Sequence, residues 1–110
     1  MALADDRIYE LHAAVCRAIG HPVRMKVLDL LRDGEECVCR LAPRAGVTES
    51  NLSQLLAALR RTGIVDTRRE GHSIYYRVRD PRIFEVIDHM RAILADQLAR
   101  ADSLTMLLRA

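Results

Sequence analysis

The sequence predicts a mainly α-helical fold carrying one β-hairpin, in the order α-α-α-α-β-β-α. Three observations carry that prediction. Apolar residues recur at three- and four-residue spacing over most of the 110 residues. Gly, Pro and Thr interrupt those stretches where helices stop and start. One interval, residues 64–79, switches to β-branched and aromatic residues around a glycine turn.

The elements follow in order. Ile8, Leu11, Val15, Ala18 and Ile19 place a first helix over Asp5 to Ile19, which Gly20 ends. Pro22 suits a first helical turn, and Val23, Val27, Leu28, Leu30 and Leu31 carry a second helix that stops at Asp33-Gly34. Glu35 and Glu36 suit the positive end of a third helix. It runs through Cys37, Val38, Leu41 and Ala42 towards Ala45, with Pro43 inside it. After a Gly46-Val47 turn, Thr48 is a good N-cap. The fourth helix then carries Leu52, Leu55, Leu56 and Leu59 on one stripe, and Thr62-Gly63 closes it. Ile64 to Arg69 and Ser73 to Arg79 read as two strands around Glu70-Gly71-His72. Asp80-Pro81 starts a long fifth helix with Ile83, Ile87, Met90, Leu94 and Leu98 on its apolar stripe. From Ser103 to Ala110 the pattern fits either a continued helix or a frayed end. His21 reads as a helix-start residue.

Length and composition narrow the classes of function. A chain of this length predicts one domain, residues 1–110, with no room for a second core or a cofactor fold. A hydrophobic fraction of 50% excludes disorder, and aromatics at 4% demand an aliphatic core. No apolar run approaches the roughly 20 residues of a membrane helix. Residues Met1 to Arg7 lack the apolar stretch of a signal peptide, so a cytoplasmic location is expected. There, Cys16, Cys37 and Cys39 are expected as thiols, metal ligands or redox groups. An enzyme is not expected, because no base and orienting partner accompany a cysteine.

Charge placement points to a polyanionic partner. The net charge is only +2, but every basic residue except Lys26 is arginine. Between Arg60 and Arg82 stand seven arginines against Asp66, Glu70 and Asp80, a local surplus of four. Arginine forks onto phosphates. The third helix, short turn and fourth helix form a helix-turn-helix. Its second helix would present Thr48, Ser50, Asn51, Ser53 and Gln54, beside Glu49, to base edges in a major groove. Arg68, Arg69 and His72 on the hairpin would reach flanking phosphates or a minor groove. Helix-turn-helix plus basic hairpin is a winged helix, with double-stranded DNA as the expected partner.

At this point the chain resembles a known family. The stretches Ala18-Ile19-Gly20-His21-Pro22-Val23-Arg24, Cys37-Val38-Cys39-Arg40-Leu41, Leu52-Ser53-Gln54-Leu55-Leu56, Leu59-Arg60, Gly63-Ile64-Val65, Arg68-Arg69-Glu70-Gly71-His72 and Tyr75-Tyr76 resemble the ArsR/SmtB winged-helix repressors. The resemblance covers about residues 8–100. It implies a homodimer built on the first and fifth helices, bound to an operator inverted repeat and released by an effector. The apolar stripes on those two helices exceed what a small monomer core would use, and two protomers double the phosphate contacts. Leu55 stands where many members carry a histidine.

The resemblance also assigns Cys37-Val38-Cys39 as a metal-sensing element. Thiolates bind As(III), Sb(III), Cd(II), Pb(II) or Zn(II), and a helix N-terminus favours the thiolate. Residues two apart on an ideal helix point about 200° apart, so joint capture of one ion would distort the helix start. That distortion is the expected switch. A third ligand is incomplete: the family's arsenic pattern has a further Cys where this chain has Ala42. Cys16, with His12 one turn before it, would complete the site or serve as a small core residue. The family's second metal locus, on the fifth helix, is not expected: Asp80 matches, but Pro81, Arg82 and Ile93 do not, and His89 is isolated. The alternative sensor is thiol chemistry, in which Cys16 bridges Cys37 or Cys39 under an oxidant or persulfide. A direct Cys37–Cys39 bond would be strained by its short loop.

Overall fold

The structure is a computed structural model that describes residues 5–109. The signal-peptide reading of residues 1–7 falls partly outside that range, as does the last residue of the tail. The chain forms two compact units, Met1–Asp80 and Pro81–Ala110.

In the first unit, α1 spans Arg7–Ile19 and α2 spans Pro22–Leu30. His21 starts α2: its Nδ1 accepts the Val23 amide at 3.1 Å, and Pro22 needs no partner for a missing N–H. Then the observed order departs from expectation. Glu36–Cys37 is a short strand, β1, and α3 begins only at Val38, running to Ala45. Glu35 and Glu36 are therefore not in the first turn of α3, which contains no acidic residue. Gly46 caps α3 in the left-handed region at φ 76°, a conformation that a Cβ would strain. This lets the chain turn directly into α4, Glu49–Arg61.

β2, Val65–Glu70, and β3, Ser73–Val78, pair antiparallel through a two-residue turn. Gly71 takes φ 61° there. The expected hairpin is thus the larger part of a three-stranded sheet in the order β1-β3-β2. Glu36 faces Tyr76 and Cys37 faces Tyr75 across β3.

The core of this unit is aliphatic. Val27 and Leu28 of α2, Leu41 of α3, and Leu52, Leu56 and Leu59 of α4 are wholly buried, and Val65 and Tyr76 close them from the sheet. Cutting Leu56 back to Ala would cost about 2–5 kcal/mol. This core holds α4 by one stripe and leaves its opposite face outward.

The second unit is one helix, α5, spanning Arg82–Arg109. It begins just after Pro81 rather than at it, and it continues through the ambiguous tail. Met90, Ile93, Leu94 and Leu98 are exposed along it. No helix among the described residues is long and apolar enough to cross a membrane.

Candidate nucleic-acid interface and dithiol site

The turn between α3 and α4 presents the predicted reading residues. Thr48 is the N-cap, and its hydroxyl oxygen accepts the Asn51 amide at 3.1 Å. Ser50, Asn51 and Gln54 are exposed beyond it and Ser53 is half-buried. The Asn51 and Gln54 side-chain amides stand free of the backbone ladder, the condition for bidentate contact with adenine.

The wing is less uniformly free than the sequence suggests. Arg69 and His72 are exposed, and Arg69 makes no ion pair among the described residues. Arg68 is clamped. Its Nη2 and Nε donate to the two carboxylate oxygens of Glu35 at 2.6 and 2.8 Å, and its Nη1 donates to Glu70 at 2.8 Å. The guanidinium also lies 4.4 Å from the centre of the Tyr75 ring. Asp66 similarly accepts from Arg79 at 2.7 Å and from Arg77 at 3.3 Å. Arg68 holds the Glu35 carboxyl below the usual carboxylate range, and Arg79 does the same to Asp66. Arg60, Arg61 and Arg69 carry their positive charge without such partners among the described residues.

The cysteines meet in a way that helical spacing does not suggest. Cys37 ends β1 and is the N-cap of α3, with extended backbone at φ −70° and ψ 141°. Its sulfur accepts the Cys39 amide at 3.1 Å. The two residues are not a helical pair pointing about 200° apart. Their Cα atoms are 5.1 Å apart and their sulfurs are joined, so the helix start need not distort to bring them together. Cys37 is buried and Cys39 exposed. Cys16 is exposed on α1 and free, rather than packed as a core residue of this chain.

As a metal centre the donor set is short. Among the described residues no group of three or more His, Cys, Asp or Glu side chains is placed to hold an ion. Two sulfurs do not satisfy a three-coordinate arsenic-type site, so the residues of one chain do not fit that group. What the pair can do unaided is dithiol–disulfide chemistry.

Position links this pair to the wing. Cys37, Tyr75 and Arg68 are aligned laterally across the three strands, and Glu35, one residue before β1, grips Arg68. Sequence reasoning missed Glu35 and β1. Two residues cannot show strand alternation, and the Glu35–Arg68 pair joins positions 33 residues apart.

Comparison with known proteins agrees with this geometry. Residues 21–67 match the family model described as bacterial regulatory protein, arsR family. The chain is 35% identical to the uncharacterized HTH-type transcriptional regulator Rv0081 of Mycobacterium tuberculosis, over 88% of this chain and 86% of that one. It is 36% identical to the biofilm growth-associated repressor of Agrobacterium fabrum, over 74% and 69%. It is 33% identical to a probable mercury resistance operon repressor of Streptomyces lividans, over 81% and 71%. The crystal structure of Rv0081 superposes with a TM-score of 0.77, covering 87% of this chain and 97% of that one at 35% identity. The solution structure of a homodimeric winged helix-turn-helix DNA-binding domain from Mycobacterium bovis also gives 0.77, at 30% identity over 91% and 95%. With a capped reading helix, a basic wing and relatives that are regulators rather than enzymes, this chain belongs to the ArsR family of winged helix-turn-helix transcriptional regulators.

Proposed function

We propose that this chain is a cytoplasmic, homodimeric repressor that binds an operator inverted repeat and senses its effector through the Cys37–Cys39 dithiol. One observation carries the reading: the two sulfurs are joined at the junction of β1 and α3. That junction abuts both halves of the DNA-reading apparatus. Thr48, Ser50, Asn51, Ser53 and Gln54 read the major groove, while Arg69, His72 and Arg68 hold flanking phosphates.

The reduced dithiol is the DNA-bound form. A hydroperoxide or a sulfane-sulfur donor accepts two electrons as its own O–O or S–S bond breaks. The S–S bond forms between Cys37 and Cys39, and the two thiol protons go to the leaving fragments, which depart as alcohol and water or as thiol and hydrogen sulfide. The change is transmitted through the register of β1 on β3 and through the grip of Glu35 on Arg68, which competes with phosphate for the same guanidinium. A second reading is favoured by the similarity to the mercury resistance repressor. In it, an ion that accepts two thiolates bridges the pair, or a partner protomer adds the missing ligand.

The test uses a duplex that the reduced protein selects from a random pool. Reduced protein is titrated with hydrogen peroxide, polysulfide, As(III), Sb(III), Cd(II), Pb(II), Zn(II) and Hg(II), and release is followed by fluorescence anisotropy. Release with loss of two hydrogen masses and a Cys37–Cys39 crosslinked peptide supports the thiol switch. Release only by an ion, with thiolate charge-transfer absorbance, supports the metal reading. Retention of DNA by fully bridged and fully metallated protein alike rejects the pair as sensor.

A further inference from the structure

Three arginines converge on a part of the first unit that the reading turn and the wing do not use. Arg17 in α1, Arg24 in α2 and Arg61 at the end of α4 line one open depression of about 250 Å³, together with Ala14, Ala58 and Thr62. No carboxylate among the described residues lines it. None of the three arginines makes an ion pair among the described residues. Elsewhere in this unit Arg7 pairs with Asp5, Arg68 with Glu35 and Glu70, and Arg77 and Arg79 with Asp66, whereas here three arginines share one depression with no carboxylate in its lining.

Arg24 is built in rather than loose. It is half-buried, and its guanidinium donates to the backbone carbonyls of Ala18 at 2.5 Å, Leu55 at 3.3 Å and Arg17 at 3.4 Å. Carbonyls orient a guanidinium but do not neutralise it. Like charges gathered without a counter-charge repel one another, and a polyanion relieves that repulsion. The location selects which polyanion. At 100° per residue, Ser50, Gln54, Ala57 and Arg61 lie on the side of α4 opposite the buried Leu52, Leu56 and Leu59. Arg61 therefore extends the outward reading face to the far end of the helix. Arg24 also lines the adjoining depression with Val47, Asn51, Gln54 and Leu55. Reading turn, Arg24 and Arg61 thus form one continuous strip.

We propose that Arg17, Arg24 and Arg61 form a second phosphate site, distinct from the wing, that grips the DNA backbone flanking the groove entered by α4. The proposal rests on the DNA-binding reading above and adds a sequence-independent anchor to it. The site takes phosphodiester oxygens through the spare N–H groups of Arg24 and the exposed guanidinium groups of Arg17 and Arg61.

The experiment uses R17Q, R61Q and the double variant, both positions being exposed and leaving Arg24 and its carbonyl bonds in place. Circular dichroism confirms the fold. Affinity for the selected duplex and for a mixed-sequence duplex is measured between about 50 and 200 mM salt. The expected result is an equal loss of affinity on both duplexes. The slope of log affinity against log salt should shrink by about 0.9 for each phosphate no longer neutralised. An unchanged slope and affinity in the double variant overturns the proposal while leaving the DNA reading intact. So does saturable binding of inorganic phosphate at Arg17 and Arg61, seen by NMR, with no change in the duplex slope. If unsubstituted protein binds neither duplex, the DNA reading fails, and the site falls with it.

Discussion

At the scale of single residues, Cys37 combines two roles in one sulfur: helix cap and proposed sensor. The Cys39 amide needs an acceptor at the start of α3, and the Cys37 sulfur supplies it at 3.1 Å. Serine caps helices at least as well. Cys37→Ser should therefore keep the fold and DNA affinity yet abolish effector release. Cys37→Ala should lose the cap and about 1 kcal/mol of stability in urea melts. Release that persists in Cys37→Ser would remove the sulfur from the mechanism. The two wing arginines divide in the same way. Arg69 has no acidic partner among the described residues, so Arg69→Ala should weaken all duplexes and reduce the salt slope by about 0.9 for each phosphate it had neutralised. Arg68→Ala should do less, because Glu35 and Glu70 already hold that guanidinium. Equal effects from the two would mean that the clamp opens on DNA.

At the scale of elements, the clamp between the β1 edge and the wing is the proposed point of control. Glu35→Gln removes the negative charge that competes with phosphate for Arg68. It should tighten DNA binding, steepen the salt slope, and weaken the coupling between oxidation and release. An unaltered coupling would place transmission in α3 alone. The acid response has a definite sign. Glu35 and Asp66 are held below the ordinary carboxylate range by Arg68 and Arg79. Their contribution is complete above the unfolded value of about 4 and is lost only as pH falls through the depressed folded values. Urea melts should therefore show this contribution constant from about pH 5 to 8 and declining below about 4. Most elements are legible in the sequence. The spacing of Leu52, Leu56 and Leu59 marks α4, Gly46 and Thr48 mark its entry, and Gly71 marks the hairpin turn. β1 is hidden because two residues have no period, so residue spacing starts α3 at Glu35 and places both cysteines on a helix they do not share. The clamp is hidden because Arg68 and Glu35 meet only after the sheet forms.

At the scale of the whole molecule, the proposed homodimer explains apolar surface that one chain leaves exposed. Ile8 and Leu11 of α1, and Met90, Ile93, Leu94 and Leu98 of α5, stand in solvent at relative exposures of 42–66%. Scattered apolar residues on a surface need no explanation, but stripes along two helices do. Covering each of these side chains in an interface is worth on the order of 1 kcal/mol, from about 25 cal/mol per Å² of apolar area removed from water. Leu94→Glu with Leu98→Glu places charge in that stripe and leaves the aliphatic core of the first unit as it is. Light scattering should then give the mass of one chain, while circular dichroism stays helical. DNA binding should separate into its parts. A lone protomer keeps one reading helix, one wing and one set of flanking arginines, so the salt slope should fall to about half. Affinity should fall further than any single phosphate variant produces, because the second half-site no longer binds as part of the same molecule. If the doubly substituted protein keeps the mass of a dimer, the interface lies elsewhere. If it becomes monomeric with an unchanged slope, the unsubstituted protein was reading a single half-site from the start.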